Sequence, residues 1–364
     1  MHRATLLLAA LAASASAYPG WSDRNVLSQL YGRAAESSNE PLGDLTELSD
    51  SSLSTVGRDI KNILTNSASA ESSEKGGSNG LPELGSEECS ADKCCVWGHV
   101  GQELASLFTD GSGCTDPARA SVRLGFHDAA AWSKFTGPGG ADGSIVLNPE
   151  EAARSVNNGL EEIIGQMRTW FDKYSKFGAG MADLIQFAAN TGTVMCPGGP
   201  RIKTLVGRKD SANAAPDGLL PDVNDPADKL IGLFANKTIS APGLAALVGA
   251  HTASKQRFVD PARADAPQDT TPAVWDVLFY QQTLGPAPAE VFTFASDSVL
   301  SRDSRSGPAF RGFADSQPAW NAVRFSIYVT EAFAREYLRM SLLGVENIND
   351  LTDCTKALPV PARS

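Results

Sequence analysis

Apolar positions recur at steps of three and four along most of the chain. Leu160, Ile163, Ile164, Met167, Trp170 and Tyr174 fall on one helical face, and Gly178 to Gly180 supply the stop. Asp116 followed by Pro117 reads as an N-cap with proline at the first helical position, opening a helix that runs through Arg123 and His127. Ser240 caps a third helix, whose apolar face carries Leu244, Leu247 and Val248 and which ends around His251. Strand signals are few, the best being Lys203 to Val206. The pattern predicts a mostly α domain over 89–364, folded from Cys89 to near Pro361, with no internal repeat.

The N-terminal part reads differently. Arg3, the apolar stretch Thr5 to Ala13 and the small residues Ala15-Ser16-Ala17 make 1–17 a secretory signal peptide. No apolar run reaches the roughly 18 residues of a helical membrane span. From Ala34 to Glu88 there is no Phe, Trp or Tyr, and Ser, Glu, Asp and Gly dominate. Residues 18–88 are therefore expected to be a Ser-rich pro-segment or flexible arm, with one short helix where Leu53, Val56, Ile60, Ile63 and Leu64 share a face.

Composition narrows the function. Lys and Arg number 31 against 42 Asp and Glu, a net charge of -11, and no basic block could track a phosphate backbone, so nucleic acid is not an expected partner. The six cysteines, Cys89, Cys94, Cys95, Cys114, Cys196 and Cys354, are even in number and expected in an oxidising compartment, which favours disulfides over a metal cluster at Cys94-Cys95. Asn236-Lys237-Thr238 is a glycosylation sequon.

Four histidines remain to carry chemistry, and only His127 and His251 lie deep in the predicted domain. Arg123 and His127 are four apart and stack on one helix face, with Phe126 three from Arg123. An imidazole and a guanidinium facing one space suit peroxide: the ring moves a proton between the two oxygens, and the fixed charge stabilises the separating anion. The same spacing also serves a surface Arg-His pair on an amphipathic helix. His251, in Val248-Gly249-Ala250-His251-Thr252, is either a satisfied core residue or an axial haem ligand, its small neighbours letting a large planar group approach the backbone.

Taken together, Arg123-Leu124-Gly125-Phe126-His127-Asp128 resembles the distal signature of the plant, fungal and bacterial haem peroxidase superfamily, and Leu247 to Thr252 its proximal signature. Gly207-Arg208-Lys209-Asp210 and Asp217-Gly218-Leu219 resemble a further shared stretch, and the cysteine pattern resembles the secreted fungal class II members. The resemblance implies a two-lobed helical fold with one haem b between distal and proximal lobes. It implies His127 as acid-base catalyst, Arg123 as stabiliser and Phe126 as the distal wall. Asn157 would orient His127 and be held by Glu151. His251 would bind iron, with Asp303 as its hydrogen-bond partner. Two calcium ions would bind, one at Asp128, Gly140, Asp142 and Ser144, the other at Thr252, Asp269, Thr271, Val274 and Asp276; Asx-turn chemistry without an ion is the alternative for both loops. The implied disulfides are Cys89 with Cys95, Cys94 with Cys354 and Cys114 with Cys196. After Asp303 the chain reads Ser306-Gly307-Pro308, without the further cysteine of many members.

Other departures bear on the electron donor. Where manganese-oxidising members carry acidic residues, this chain has Asp116, Ala120 and Arg257; where ligninolytic members carry an oxidisable surface Trp it has Ala246; and Phe258 stands where relatives often have an Asp at a haem propionate. The expectation is a secreted, monomeric, generic low-potential peroxidase taking hydrogen peroxide and phenolic or other small aromatic donors. The alternatives are a lignin-active enzyme with another surface radical site, for which Trp132, Trp275 and Trp320 are candidates, and a non-catalytic haem-binding protein.

Overall fold

The computed structural model describes residues 38–74 and 80–361, apart from 322, 326, 327 and 331; the expected signal peptide and the arm before residue 38 lie outside the described residues. The architecture is mostly helical. In chain order the principal helices are α1 (Thr55–Leu64), α2 (Cys95–Phe108), α3 (Asp116–Ala129), α4 (Glu161–Tyr174), α5 (Met181–Met195), α6 (Ala227–Ala235), α7 (Ala241–Val248), α8 (Leu278–Leu284), α9 (Ala295–Arg302), α10 (Gly307–Ala314), α11 (Gln317–Asn321) and α12 (Ala332–Met340). Strands among the described residues are two or three residues long; Leu205–Val206 pairs antiparallel with Thr352–Asp353, shorter than the predicted strand. No helix among the described residues is long and apolar enough to cross a membrane.

Every residue of α5 is buried, so this helix is the axis around which α2, α3 and α4 pack. Its closest neighbour is α3, and Gly125 makes that approach possible: a Cβ there would lie 2.6 Å from the Ala189 Cβ and 2.5 Å from the Tyr337 hydroxyl. The Gly125 carbonyl accepts a 3.0 Å hydrogen bond from Gln186 Nε2. The stretch Gly207 to Asp210 fixes the start of α5. Asp210 accepts from the Met181 and Ala182 N–H groups at 2.8 and 2.9 Å, satisfying donors that a helix start leaves open. Arg208 donates to the buried Asp183 at 2.9 Å. At the start of α3 the cap is Thr115, with Asp116 and Pro117 already inside the helix, one residue earlier than the sequence pattern suggests.

On the other side of the molecule α7 packs against α10 and α12, and α12 is buried from Phe333 to Met340. The three disulfides join Cys89 to Cys95, Cys94 to Cys354 and Cys114 to Cys196, as the resemblance implies.

The expected flexible arm needs correcting over its described part. Leu42, Leu45, Leu53, Ile60, Ile63 and Leu64 are all buried in the main core. Aromatic side chains are unnecessary here, because an aliphatic stripe on α1 and the loop before it bury enough surface to hold the segment. Backbone groups finish the attachment: Lys203 N–H donates to the Ala70 carbonyl and Ser72 N–H to that of Arg201, both at 2.8 Å. Arg339, fully buried on α12, is the knot. Its guanidinium donates to the carbonyls of Glu40 and Leu64 at 2.9 Å each and to that of Ser38, and burial holds its pKa down at about 10. Replacing it takes this donor from the buried Ser38 and Leu64 carbonyls and from the Glu40 carbonyl. Arg339→Met should therefore cost about 2–4 kcal/mol in denaturant unfolding and make residues 38–74 the first target of limited proteolysis; unchanged stability and cleavage would contradict this attachment.

Candidate functional site

A cavity of about 810 Å³ opens between α3 and α7. Arg123, Phe126 and His127 line it from one side, and Leu247, Ala250, His251 and Phe294 from the other. The i, i+4 spacing on α3 aims Arg123 and His127 at the same space, with Arg123 Nε donating to His127 Nε2 at 3.2 Å. The surface-pair alternative is thereby set aside, since His127 is buried.

The hydrogen bonds decide the tautomer of His127. Asn157 Nδ2 donates to the Glu151 backbone carbonyl at 2.8 Å, so its Oδ1 is the atom that faces the ring. His127 Nδ1 must then carry the proton and donate to Asn157 Oδ1 at 2.9 Å. That leaves the lone pair on Nε2, facing the cavity. Glu151 holds Asn157 through its main chain; its carboxylate Oε2 accepts the Ala215 N–H at 2.7 Å instead. Burial, and then the charge of Arg123, lowers the His127 pKa to about 3, and burial also lowers that of Arg123. Phe126 stacks on Phe234 with ring centroids 6.3 Å apart, closing the wall beside His127.

His251 lies in the 3-10 turn Gly249–Ala253 that follows α7. Its Nδ1 donates to Asp297 Oδ2 at 3.1 Å, and Phe279 and Phe294 press edge-on against the ring at 5.6 Å each. Nε2 is left as a free donor atom for a metal. The expected partner, Asp303, is not there. It binds Arg305 Nε at 2.9 Å and Nη2 at 2.8 Å, and that hydrogen bond draws its pKa down to about 2. Asp297 sits in the first turn of α9 on the buried face with Leu300 and Ser301, whereas Asp303 caps the far end. The sequence signal was available: three and four residues separate the buried positions from Asp297, and six separate Asp303 from it. Gly249 also serves another purpose than the one expected. A Cβ there would meet the Tyr280 hydroxyl at 2.1 Å and Trp320 at 2.6 Å, so it admits aromatic packing behind the turn, while Ala250 faces the cavity.

A buried imidazole whose unprotonated Nε2 accepts from a guanidinium at the cavity wall, opposite a second imidazole bonded to a carboxylate, is an arrangement for a ligated planar metal cofactor and a proton-bearing substrate. Comparison with known proteins agrees. A family model described as Peroxidase matches residues 100–316. The chain is 34% identical over 295 residues to Ligninase C of Trametes versicolor, covering 74% of this chain and 76% of that protein. It is 31% identical over 308 residues to Peroxidase of Arthromyces ramosus, covering 78% and 81%. Manganese peroxidase 3 of Phlebia radiata is 31% identical over 292 residues, covering 74% and 77%.

The chain belongs to the fungal class II haem peroxidases. It is a haem-dependent enzyme that uses hydrogen peroxide, and the residues present fit the haem: the cavity sits between the two histidines, and the His251 Nε2 has no competing protein partner among the described residues.

The residues expected to hold calcium also come together. Asp128 Oδ1 and Ser144 Oγ are buried without a hydrogen-bond partner among the described residues, and burial, then the nearby Asp142, pushes the Asp128 pKa well above the carboxylate range. The Gly140 carbonyl accepts from Asp142 N–H at 2.8 Å in the same turn. In the second cluster Thr252 donates to Asp269 Oδ2 at 2.5 Å and Thr271 to Asp276 Oδ2 at 2.8 Å, with Thr271 receiving the Val274 N–H at 2.8 Å. Burial pushes the Asp269 pKa up to about 6. Both sets are oxygen-only and carry carboxylates that lack a cation, which fits a hard divalent ion better than an ion-free Asx turn.

At the cavity mouth Asp116 pairs with Arg119 and has Lys255 Nζ at 3.8 Å, while Arg257 binds Asp265 at 2.6 Å. Ala120 adds no ligand. Ala246, the position of the absent surface Trp, is fully buried.

The low pKa of His127 has a consequence for stability. Unfolding returns the ring to about 6.5, so between that pH and about 3 the unfolded chain binds the extra proton, and stability falls as pH drops. His127→Gln removes this contribution. The wild-type protein should lose about 1.4 kcal/mol per pH unit more than the variant between pH 6 and pH 4 in denaturant titrations; parallel losses would contradict the buried neutral ring.

Proposed function

We propose that this peroxidase is a secreted monomer, carrying one haem b and two calcium ions, that oxidises phenolic and other small aromatic donors by successive one-electron steps, as a generic low-potential type. The observation that carries the donor assignment is the mouth of the cavity. Phe258 and Val259 line it and are 58% and 43% exposed, an apolar rim where a manganese site would need carboxylates. Arg119 and Lys255 beside Asp116 already compensate its charge, which works against a divalent cation there.

Bound on His251, haem would hold the two oxidising equivalents that peroxide delivers until two donor molecules each supply one electron. The chain's own residues do the rest. His127 Nε2 would take the proton from one peroxide oxygen and return it to the other, which departs as water. Arg123 holds positive charge beside the separating oxygens. Asn157 keeps the His127 tautomer that makes Nε2 a base, and Asp297 gives the His251 ring anionic character, which favours higher oxidation states of a bound iron. Asp128 and Thr252 each follow a cavity histidine directly, so a calcium ion on either cluster would stiffen the backbone that carries it.

Secretion fits the three disulfides and the leader-like 1–17, and glycosylation fits Asn236, exposed at the end of α6. A radical route to a surface aromatic has little to use: among the described residues Trp97, Trp170, Trp275 and Trp320 are buried, and Trp132 is half-buried. Loss of turnover with retained binding is disfavoured by the intact Arg123, His127 and Asn157 set.

Turnover by the haem- and calcium-loaded enzyme with a phenol, a manganese salt and a non-phenolic aromatic tests the assignment. The phenol alone should sustain it, and Phe258→Ala should raise KM for the phenol about threefold to tenfold with kcat little changed, the value of one lost aromatic contact. Manganese turnover, or a Phe258→Ala enzyme with unaltered KM, would contradict the donor reading.

A further inference from the structure

Gln268 stands beside the His251–Asp297 pair and belongs to none of the groups above. It is buried and lines the same cavity. The antiparallel pairing of Lys255–Gln256 with Ala266–Pro267 brings it opposite Ser254, whose carbonyl accepts the Gln268 N–H at 3.2 Å. The side-chain amide then makes two bonds. Oε1 accepts from the Ser254 hydroxyl, and Nε2 donates to Asp297 Oδ2 at 3.3 Å. The orientation of this amide is settled by chemistry, because a carboxylate only accepts whereas a serine hydroxyl can donate.

The acceptor is the point. Oδ2 is the oxygen that also accepts the His251 Nδ1–H, while the other carboxylate oxygen, Oδ1, is buried with no hydrogen-bond partner among the described residues. Two N–H groups thus share one oxygen of a fully buried Asp297. A second donor withdraws electron density from that oxygen, so the carboxylate pulls less on the imidazole proton. An imidazole that keeps its proton more fully is a weaker electron donor to a metal on Nε2, and the reduced state of that metal is correspondingly less disfavoured.

We propose that Gln268 is a positioning residue that sets the reduction potential of the iron by moderating the hydrogen bond from His251 to Asp297. The proposal rests on the reading of His251 as the iron ligand. Gln268 acts through Asp297, to which its side-chain amide donates. Ser254 is its anchor, holding Oε1 so that Nε2 cannot turn away.

The test uses Gln268→Met, which keeps the side chain's length and removes both the donor and the acceptor. In the haem-loaded protein the ferric-to-ferrous equilibrium at fixed potential should move about tenfold toward ferric, a fall of about 59 mV for a one-electron couple. The iron–imidazole stretching band of the ferrous protein, identified by its iron-isotope shift, should move to higher frequency. Ser254→Ala, which frees the amide without removing it, should move both quantities the same way by less, and it serves alone if Gln268→Met does not fold. A band present and unmoved, with an equilibrium within twofold of wild type, overturns the role of Gln268. Absence of any iron–imidazole band in the wild-type protein would instead overturn the ligand assignment of His251, so the two failures are distinguishable.

Discussion

The 2.9 Å hydrogen bond from His127 Nδ1 to Asn157 fixes which ring nitrogen faces the cavity, and the distal chemistry depends on it. Without it a buried imidazole would be free to present an N–H, which cannot accept a proton. The bond works because Asn157 is itself fixed by the Glu151 carbonyl, and Glu151 by the Ala215 N–H. A chain of main-chain contacts therefore sets the protonation of one nitrogen. His251 is governed by the same geometry with a different acceptor. A neutral amide faces His127, where burial and then Arg123 keep the basicity low, whereas a carboxylate faces His251 and raises its electron donation. Two imidazoles in one cavity thus have different hydrogen-bond acceptors, an amide and a carboxylate, which suits them to different tasks.

Burial gives these bonds their strength and also creates the molecule's main electrostatic difficulty. Asp128 and Asp269 are buried carboxylates without a cation among their protein partners, and desolvation raises the pKa of each. Each belongs to an oxygen cluster containing the residue directly after a cavity histidine. A calcium ion in either place would remove a cost of burial and hold a histidine-bearing turn in the same event. The close crossing of α3 over α5 at Gly125 supplies the remaining rigidity on the distal side.

Much of this was legible in the residues. The i, i+4 spacing of Arg123 and His127 survives folding because a helix translates spacing directly into a shared face. The likeness of the two histidine segments to the peroxidase signatures located His251, Asn157 and the oxygen clusters. Asp297 was missed because two aspartates lie six apart around one helix, and only burial separates the inward one from the one paired with Arg305. The segment 38–74 was misjudged for a related reason. Its composition is that of a solvated linker, but its attachment depends on Arg339, nearly three hundred residues away, whose buried guanidinium needs those carbonyls. Long-range polar satisfaction leaves little local pattern. Gly249 was read as room for the cofactor and proved to be room for Tyr280 and Trp320.

The central claim is that His127 is the base for peroxide and His251 the seat of the iron. Mixing the haem- and calcium-loaded protein with hydrogen peroxide in a stopped-flow spectrometer tests it most directly, with His127→Ala and His251→Ala alongside. The account predicts a rapid Soret change in wild type, a rate lower by about 10²–10⁴ in His127→Ala with haem retained, and loss of stable haem ligation in His251→Ala. A wild-type Soret band that peroxide leaves unmoved, or a His251→Ala protein that keeps its haem and its rate, would contradict it.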